Sequence, residues 1–378
     1  MNAHSSFRML ADHGWGRLEI DLGALRANYR ALSARAAPAE VAAVVKADAY
    51  GLGAERVSAA LYEEGCRDFF VAHFVEALRL RPLLPLDARL FVLNGLQPGD
   101  EEVALERDIV PVLNSLEQVE QWNFAASRTG RRLAAALQVD SGMSRLGLSA
   151  DELATLSARP SLTSAIRITH VMSHLAEADE PEAPANAAQL AAFAAARAAF
   201  PQALASFANS GGIFLGADYH HDLARPGIAL YGGVACRNQA EPMQPVVRLS
   251  IPVIQTREVP AGTRIGYGGR HVAPGPMRIA TLAAGYADGL PRHLSGCGAV
   301  YFEGQRLPIL GSVSMDSMTV DISAVAPGRI TLGTPIEVIG PHQTLEMLAE
   351  AAGTIAYEIL TRLGQRYARD YIQGETAA

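Results

Sequence analysis

Eight times in the first 240 or so residues a short apolar run is followed by a stretch with helical periodicity. The runs lie near 42–46, 68–72, 88–93, 109–113, 134–139, 168–173, 204–208 and 222–225, judged on length, β-branched content and flanking breakers. Continuous apolar runs predict strands buried on both faces, as in a parallel sheet covered by helices. Between them, "GAERVSAALYEEG" puts Val57, Ala60 and Leu61 on one helix face and stops at a glycine, and "ANAAQLAAFAAARAAF" is an alanine-rich helix. Eight strand-then-helix units predict an α/β fold, a (β/α)8 TIM-type barrel. An open, doubly wound sheet is the competing architecture.

One further strand, "GRLEIDL" at 16–22, is one too many for the barrel and is assigned to a second domain. After about Arg237 the texture changes. "PVVRLSIPVIQTREVPAGTRIGYGG", "RIATLAAG", "GAVYFEGQRLPILGSVSMDSMTVDI" and "GTPIEVIG" are short strands cut by Pro and Gly turns, and "TLEMLAEAAGTIAYEILTRLG" predicts one closing helix. The expected organisation is a barrel over 22–241 and a mostly β C-terminal domain over 242–378, joined by an N-terminal strand within 1–21.

A net charge of -7 gives no support for nucleic-acid binding, which usually shows a basic patch or stripe. No stretch reaches the roughly 18 apolar residues that span a bilayer, so no membrane partner is expected. "MNAHSSFRMLADHGWG" has no apolar core of a secretory signal. Cys66, Cys236 and Cys297 are odd in number and far apart, which excludes a disulfide framework and fits reduced thiols in the cytoplasm.

Catalytic groups of a barrel sit at the C-terminal ends of its strands. Lys46 ends the first run in "VAAVVKADAYGLG". Beside apolar walls a lysine has a lowered pKa and serves as a Schiff-base nucleophile and then as a base; the bland alternative is a snorkelling lysine with its head in water. "SFANSGG" leaves Asn209 and Ser210 past the seventh strand, and "DLARPGIALYG" leaves Arg225, Gly227 and Ile228 past the eighth. Loops after strands 7 and 8 are where barrels bind phosphate through backbone N–H groups and a hydroxyl. A lysine across the mouth from such a cup is the layout pyridoxal 5′-phosphate requires. In "THVMSHLAEADE" His174 lies further toward the mouth than His170; the pair His220 and His221 reads as structural, and no further ligands converge on them for a metal. "LQVDSGMSRLG" brings Asp140, Met143 and Arg145, an arginine suited to a carboxylate ligand or an ordinary surface residue beside an N-cap.

"VVKADAYGLG", "VDSGMSRLG", "SHLAEADE", "ANSGG", "ARPGIALYG", "GYGG", "GYADGLPR" and "SMDSMTVD" follow in this order. Together they resemble alanine racemase, a fold-type III pyridoxal-phosphate family, over Gly16 to Tyr371. The resemblance implies a head-to-tail homodimer with shared active sites and a small-molecule amino-acid substrate. It implies that Lys46 carries the cofactor and acts as one base, and that Tyr267 of a second subunit is the opposing base. It assigns Tyr50, Ser210, Gly227 and Ile228 to the phosphate, with Asn209 beside them, Arg225 to the pyridine nitrogen and His174 to the ring. Arg145, Met315 and Asp316 would place the substrate carboxylate, and Tyr286 and Arg292 would line the access channel. The implied activity is interconversion of L- and D-alanine by two bases, supplying D-alanine for peptidoglycan; broader specificity, for serine or another amino acid, is the alternative. Three positions depart from the family: Gln138 where a carbamylated lysine is common, Ser314 where a cysteine is common, and Gln365 where some members carry a tyrosine. A decarboxylase of this fold type would use a cysteine and an acidic residue in place of Tyr267 and Arg225. A cofactor-binding regulator would resemble the barrel alone.

Overall fold

The computed structural model describes residues 16–237 and 242–374. The stretch read as lacking a secretory signal, up to residue 15, and residue 241 at the expected boundary lie outside them. The chain divides into two compact units: Leu25–Gln244, and the residues up to Ala24 together with those from Pro245 on.

Strand β1 (Arg17–Asp21) belongs to the second of these units. In Leu25–Gln244 follow β2 (Glu40–Val41), β3 (Ala43–Val44), β4 (Asp68–Val71), β5 (Arg89–Val92), β6 (Ile109–Leu113), β7 (Leu133–Gln138), β8 (Ile166–Met172), β9 (Leu204–Ser206) and β10 (Leu223–Ala224). β3 to β9 form one parallel sheet in chain order. β2 and β3 are two halves of one barrel strand: β3 pairs with β4, and β2 pairs in parallel with β10. The Asp222 and Arg225 N–H groups donate to the Ala205 and Ala208 carbonyls, which joins β10 to β9 and closes the ring. The eight expected strands are therefore those of a closed (β/α)8 barrel.

The residues explain the closure. β4, β5 and β6 are apolar on both faces: Phe69, Phe70, Phe91 and Val112 are each at most 1% exposed. Phe70 and Phe91 stack at 4.6 Å, and Phe91 meets His170 edge-on at 5.3 Å. The helix Pro184–Arg197 covers the sheet by stacking Phe193 on Phe207 at 4.7 Å. Burying one such ring contributes about 1.5–3 kcal/mol. Among the described residues no helix is long and apolar enough to cross a membrane.

The second unit holds β11 (Val247–Val259), β12 (Arg264–Ile265), β13 (His271–Val272), β14 (Met277–Leu282), β15 (Ala299–Phe302), β16 (Gln305–Leu310), β17 (Met318–Asp321), β18 (Pro335–Ile339) and β19 (Ala368–Ile372). β1 is inserted between β11, to which it runs antiparallel, and β19, to which it runs parallel. Its alternation buries Leu18 and Ile20 completely, so one side of the strand carries core. The single closing helix expected from the sequence is two helices, Leu345–Ala351 and Ala356–Arg362. Gly353 sits between them at φ 65°, left-handed, which ends the first.

Candidate active site

The β3 backbone ends at Val44, and Lys46 opens a turn, Lys46–Tyr50, rather than ending the strand as expected. Ala47, Asp48, Ala49 and Tyr50 follow at φ 53°, 55°, 52° and 56°. Left-handed backbone costs a residue with a Cβ roughly 1–2 kcal/mol, so such a run persists only where its surroundings over-determine it. Here Ala49 N–H donates to Val45 C=O at 2.8 Å and Gly51 N–H to Ala47 C=O at 2.8 Å. Ala54 N–H donates to the Asp48 carboxylate at 2.7 Å. Ala47 N–H donates to Glu76 Oε1 at 2.5 Å.

The turn delivers Tyr50 to the loops after β9 and β10. A Cβ on Gly227 would lie 2.1 Å from the Tyr50 hydroxyl, so a larger residue there would displace that side chain or the loop. Ser210 Oγ accepts from Gly227 N–H at 2.9 Å and from Ala229 N–H at 3.3 Å. Tyr50, Ser210, Gly227 and the fully buried Ile228 are thus brought together as one small cup. Asn209 plays a different local part: its side chain caps the helix Ser210–Leu215 by accepting from Gly212 N–H at 2.9 Å, and donates to Leu175 C=O.

Arg225 is buried, with Nη1 donating to Ser206 Oγ and Nη2 to Ser173 C=O. Burial pushes its guanidinium down to about 10, so it still carries its charge at neutral pH. Ser173 Oγ in turn donates to Val139 C=O at 2.7 Å, and Ser206 Oγ to Leu223 C=O at 2.6 Å. His174 feels Arg225, Arg145 and Lys46; burial first and then these charges push its imidazole down to about 3, which keeps it neutral. Gln189 fixes its backbone, donating to His174 C=O at 3.0 Å. Asp140 Oδ1 accepts from the N–H groups of Gly142, Met143 and Ser144 and shapes the loop that presents the exposed Arg145. Burial pushes the Lys46 amine below its ordinary range, Arg145 pushes it further, and Glu76 opposes both. Lys46, Arg145, His174 and Arg225 therefore form one electrostatically linked group at the C-terminal mouth of the barrel. A cavity of about 1110 Å³ lies at the other end, among Arg89, Arg132, Arg167 and His170, and contains none of them.

The remaining site residues lie in the β unit. Tyr267 opens the turn Tyr267–Gly269 between β12 and β13 and is 76% exposed. Gly266, Gly268 and Gly269 have φ of 70°, 70° and 54°. Met315 and Asp316 lie in a turn closed by Ser314 Oγ, which donates to Ser317 C=O at 2.6 Å. Tyr286 N–H donates to Ser314 C=O and Ala287 N–H to Met315 C=O, both at 3.0 Å, which ties that turn to the Tyr286 loop. Arg366 clamps the same two loops: it is bidentate on the buried Asp288 at 2.6 and 2.7 Å and donates to Asp316 at 2.6 Å. The Asp316 carboxylate, expected beside the substrate, is thus engaged in fixing the loop. Tyr286 and Arg292 line a cavity of about 450 Å³ with Arg362.

Residues 20–235 match the family model of the alanine racemase N-terminal domain, and residues 246–371 that of the C-terminal domain. The chain belongs to the alanine racemase family. Its enzyme class is accordingly that of the alanine racemases, which are isomerases. A relative from Agrobacterium fabrum named "Alanine racemase, catabolic" is 58% identical over 99% of this chain and 96% of its own length. An alanine racemase of Brucella canis is 56% identical over 94% of this chain and 93% of its own. The solved alanine racemase of Bartonella henselae, described with covalently bound pyridoxal phosphate, is 44% identical with a TM-score of 0.92, covering 95% of this chain and all of that one.

Where alanine racemases commonly carry a lysine, Gln138 is buried and donates to Leu146 C=O at 3.3 Å, with no hydrogen bond to Arg145 among the described residues. Gln365 is exposed. Three features lie outside the motifs. Lys46 is the only lysine in the whole chain; the other 31 of the 32 basic residues are arginine. Glu76, three residues after His73 and part of the cap of its own helix, carries no sequence signal as a partner of the Lys46 turn. Ser173 and Ser206, which hold Arg225, carry no sequence signal of that role.

Proposed function

We propose that this protein interconverts L-alanine and D-alanine with pyridoxal 5′-phosphate, as a homodimer whose active sites are shared. The observation that carries this is the placement of the chain's only side-chain amine, Lys46, at the barrel mouth among Arg145, His174 and Arg225. The residues fit the cofactor. Lys46 is the one lysine able to hold its aldehyde. Tyr50, Ser210 and the Gly227–Ile228 backbone suit its phosphate, with Ser210 Oγ held in the cup by the Gly227 and Ala229 N–H groups, and Arg225, which has only donors, would meet its pyridine nitrogen. Asn209 fixes the start of the phosphate loop. Once bound, the cofactor makes the substrate Cα–H acidic.

The chain's own residues then move the proton. Burial and Arg145 leave a larger share of the Lys46 Nζ unprotonated at neutral pH, ready to take or return a proton on one face of Cα. Tyr267 Oη of the second copy acts on the other face; its exposure at a hairpin turn supports a role beyond its own chain. Arg145, with the Met315 backbone, binds the substrate carboxylate, Asp316 and Arg366 hold that loop, and Tyr286 and Arg292 line the access channel. Arg225 cannot readily give a proton to the pyridine nitrogen, which keeps racemisation apart from transamination.

Enantiomers have equal free energy in water, so one site serves both directions. It makes D-alanine for peptidoglycan and, run the other way, draws D-alanine down; the Agrobacterium fabrum relative carries "catabolic" in its name. The scattered, odd cysteines support a cytoplasmic setting.

The deciding experiment mixes two inactive variants, Lys46→Ala and Tyr267→Phe. Shared sites in a two-fold dimer restore up to about a quarter of wild-type activity, because a mixed dimer keeps one intact site. Mixing that restores nothing removes the shared site. Wild-type protein that leaves the optical rotation of L-alanine unchanged removes the reading altogether.

A further inference from the structure

We propose that Glu76 is the positioning residue of Lys46, holding its turn in the left-handed form through Ala47 N–H and so placing a carboxylate beside the residue that carries the amine. This rests on Lys46 being the reactive group, and it names the device that presents it.

Glu76 is half-buried on the helix Phe74–Leu80, which follows β4, the neighbour of the Lys46 strand. Its Oε2 accepts from Ala72 N–H at 2.9 Å and His73 N–H at 2.8 Å, an ordinary helix cap. Its Oε1 leaves the helix altogether and accepts from Ala47 N–H at 2.5 Å, the residue next to Lys46. A cap needs only the first oxygen. The second reaches across to the first of four consecutive left-handed residues, none of them glycine. A carboxylate has acceptors on both oxygens and no proton to offer. Glutamine has one carbonyl oxygen and one NH2, so Glu76→Gln must set a donor against a donor at one end. The charge matters as well. The groups that face Lys46 are Arg145 from the loop after β7, His174 from the loop after β8, and Glu76; Asp48 lies on its own turn and is bound to Ala54 N–H. His174 is neutral and Arg145 repels the ammonium, so Glu76 is the acid on a neighbouring element that steadies it.

The test uses full-length protein and two readouts that need no turnover. Because Lys46 is the only lysine, its rate of acetylation by acetic anhydride, followed by peptide mass in protein stripped of cofactor, reports one amine. Removing the opposing charge lowers the pH midpoint of labelling, so Glu76→Gln labels about three- to tenfold faster near pH 8. In the holoenzyme, deuterium uptake at Ala47 rises by about tenfold in Glu76→Gln. Glu76→Asp separates the two parts: the charge stays and the midpoint holds, while the shorter side chain loses Ala47 and its exchange rises. With alanine as substrate, kcat falls in both variants and KM moves little. An unchanged labelling midpoint in Glu76→Gln, or an unchanged Ala47 exchange in Glu76→Asp, overturns the proposal; should the glutamine variant not fold, the aspartate variant alone decides. Neither readout uses alanine, so an inactive wild type would sink the racemase reading and leave this test standing.

Discussion

The turn that carries Lys46 and the turn that carries Tyr267 both pass through left-handed backbone, but with different residues. Ala47 to Tyr50 carry side chains, and hydrogen bonds from Val45, Asp48 and Glu76 hold them there. Tyr267 is flanked by Gly266, Gly268 and Gly269, for which the same region is permitted without strain, and it stands 76% exposed. The first is a rigid device: strain is tolerated because a packed barrel surrounds it and the Glu76 carboxylate holds its first left-handed N–H. The second is a permissive one, suited to a side chain that reaches outward. Position is held by packing at Lys46 and by glycine geometry at Tyr267.

Four outcomes would break or sharpen this contrast. The largest is expected at the amine itself. Lys46→Ala should lower kcat/KM by about four orders of magnitude or more, and borohydride reduction should then add no cofactor mass to any lysine, since none remains. Retained attachment would remove Lys46 from its place.

Tyr267→Phe comes next, with a loss of roughly 10²–10⁴ in kcat. Its melting temperature should match wild type, because the exposed hydroxyl has little packing to lose. A large drop in stability would mean that this turn is as tightly held as the other.

Gly227→Ala tests the cup. The new Cβ meets the Tyr50 hydroxyl, so either that side chain or the loop must shift. Fluorescence titration should show cofactor affinity falling by about tenfold, or 1.4 kcal/mol. Equal affinity would show that Tyr50 is mobile and does not belong to the rigid side of the contrast.

The remaining effects are in stability. Gly268→Ala, at φ 70°, should cost about 1 kcal/mol in urea unfolding. Ala49→Gly, at φ 52°, should fall within about 1 kcal/mol of wild type, because relieved strain and added unfolded-state entropy oppose each other. On the barrel side, burial, followed by the charges of Arg89 and Arg225, pushes His170 down to about 4. The unfolded chain takes up that proton near pH 6.5, so between about 6.5 and 4 it binds more protons than the folded one. Stability should therefore fall as pH drops through this window, by roughly 2–4 kcal/mol, and His170→Asn should flatten the slope. An unchanged slope would place a charged imidazole in the barrel.

Much of the fold could be read from the chain because a parallel strand buried on both faces leaves a plain apolar run, as at 109–113, where the expected and observed limits coincide. The strand at 16–22 was placed outside the barrel by counting alone, and β1 pairs with β11 and β19. The closing helix was misread as one because Gly353 sits inside an otherwise continuous helical pattern, where local periodicity is blind to a left-handed φ. The family was legible because Lys46, Ser210, Gly227 and Tyr267 keep characteristic neighbours in the chain. Sequence gives no sign that Arg366, fifty residues on, would bind the Asp316 carboxylate.

The sequence by itself determined the residue types and their order: one lysine among 32 basic residues, a glycine beside each close approach, and eight buried runs in series. Those follow from burial and backbone sterics, which act locally. Only the tertiary structure decided that Ala47 to Tyr50 wind left-handed, that Glu76 leaves its own helix to hold them, and that Ser173 and Ser206 grip Arg225. The last two depend on donors and acceptors that are distant in the chain and meet only when the strands that carry them are packed in the barrel.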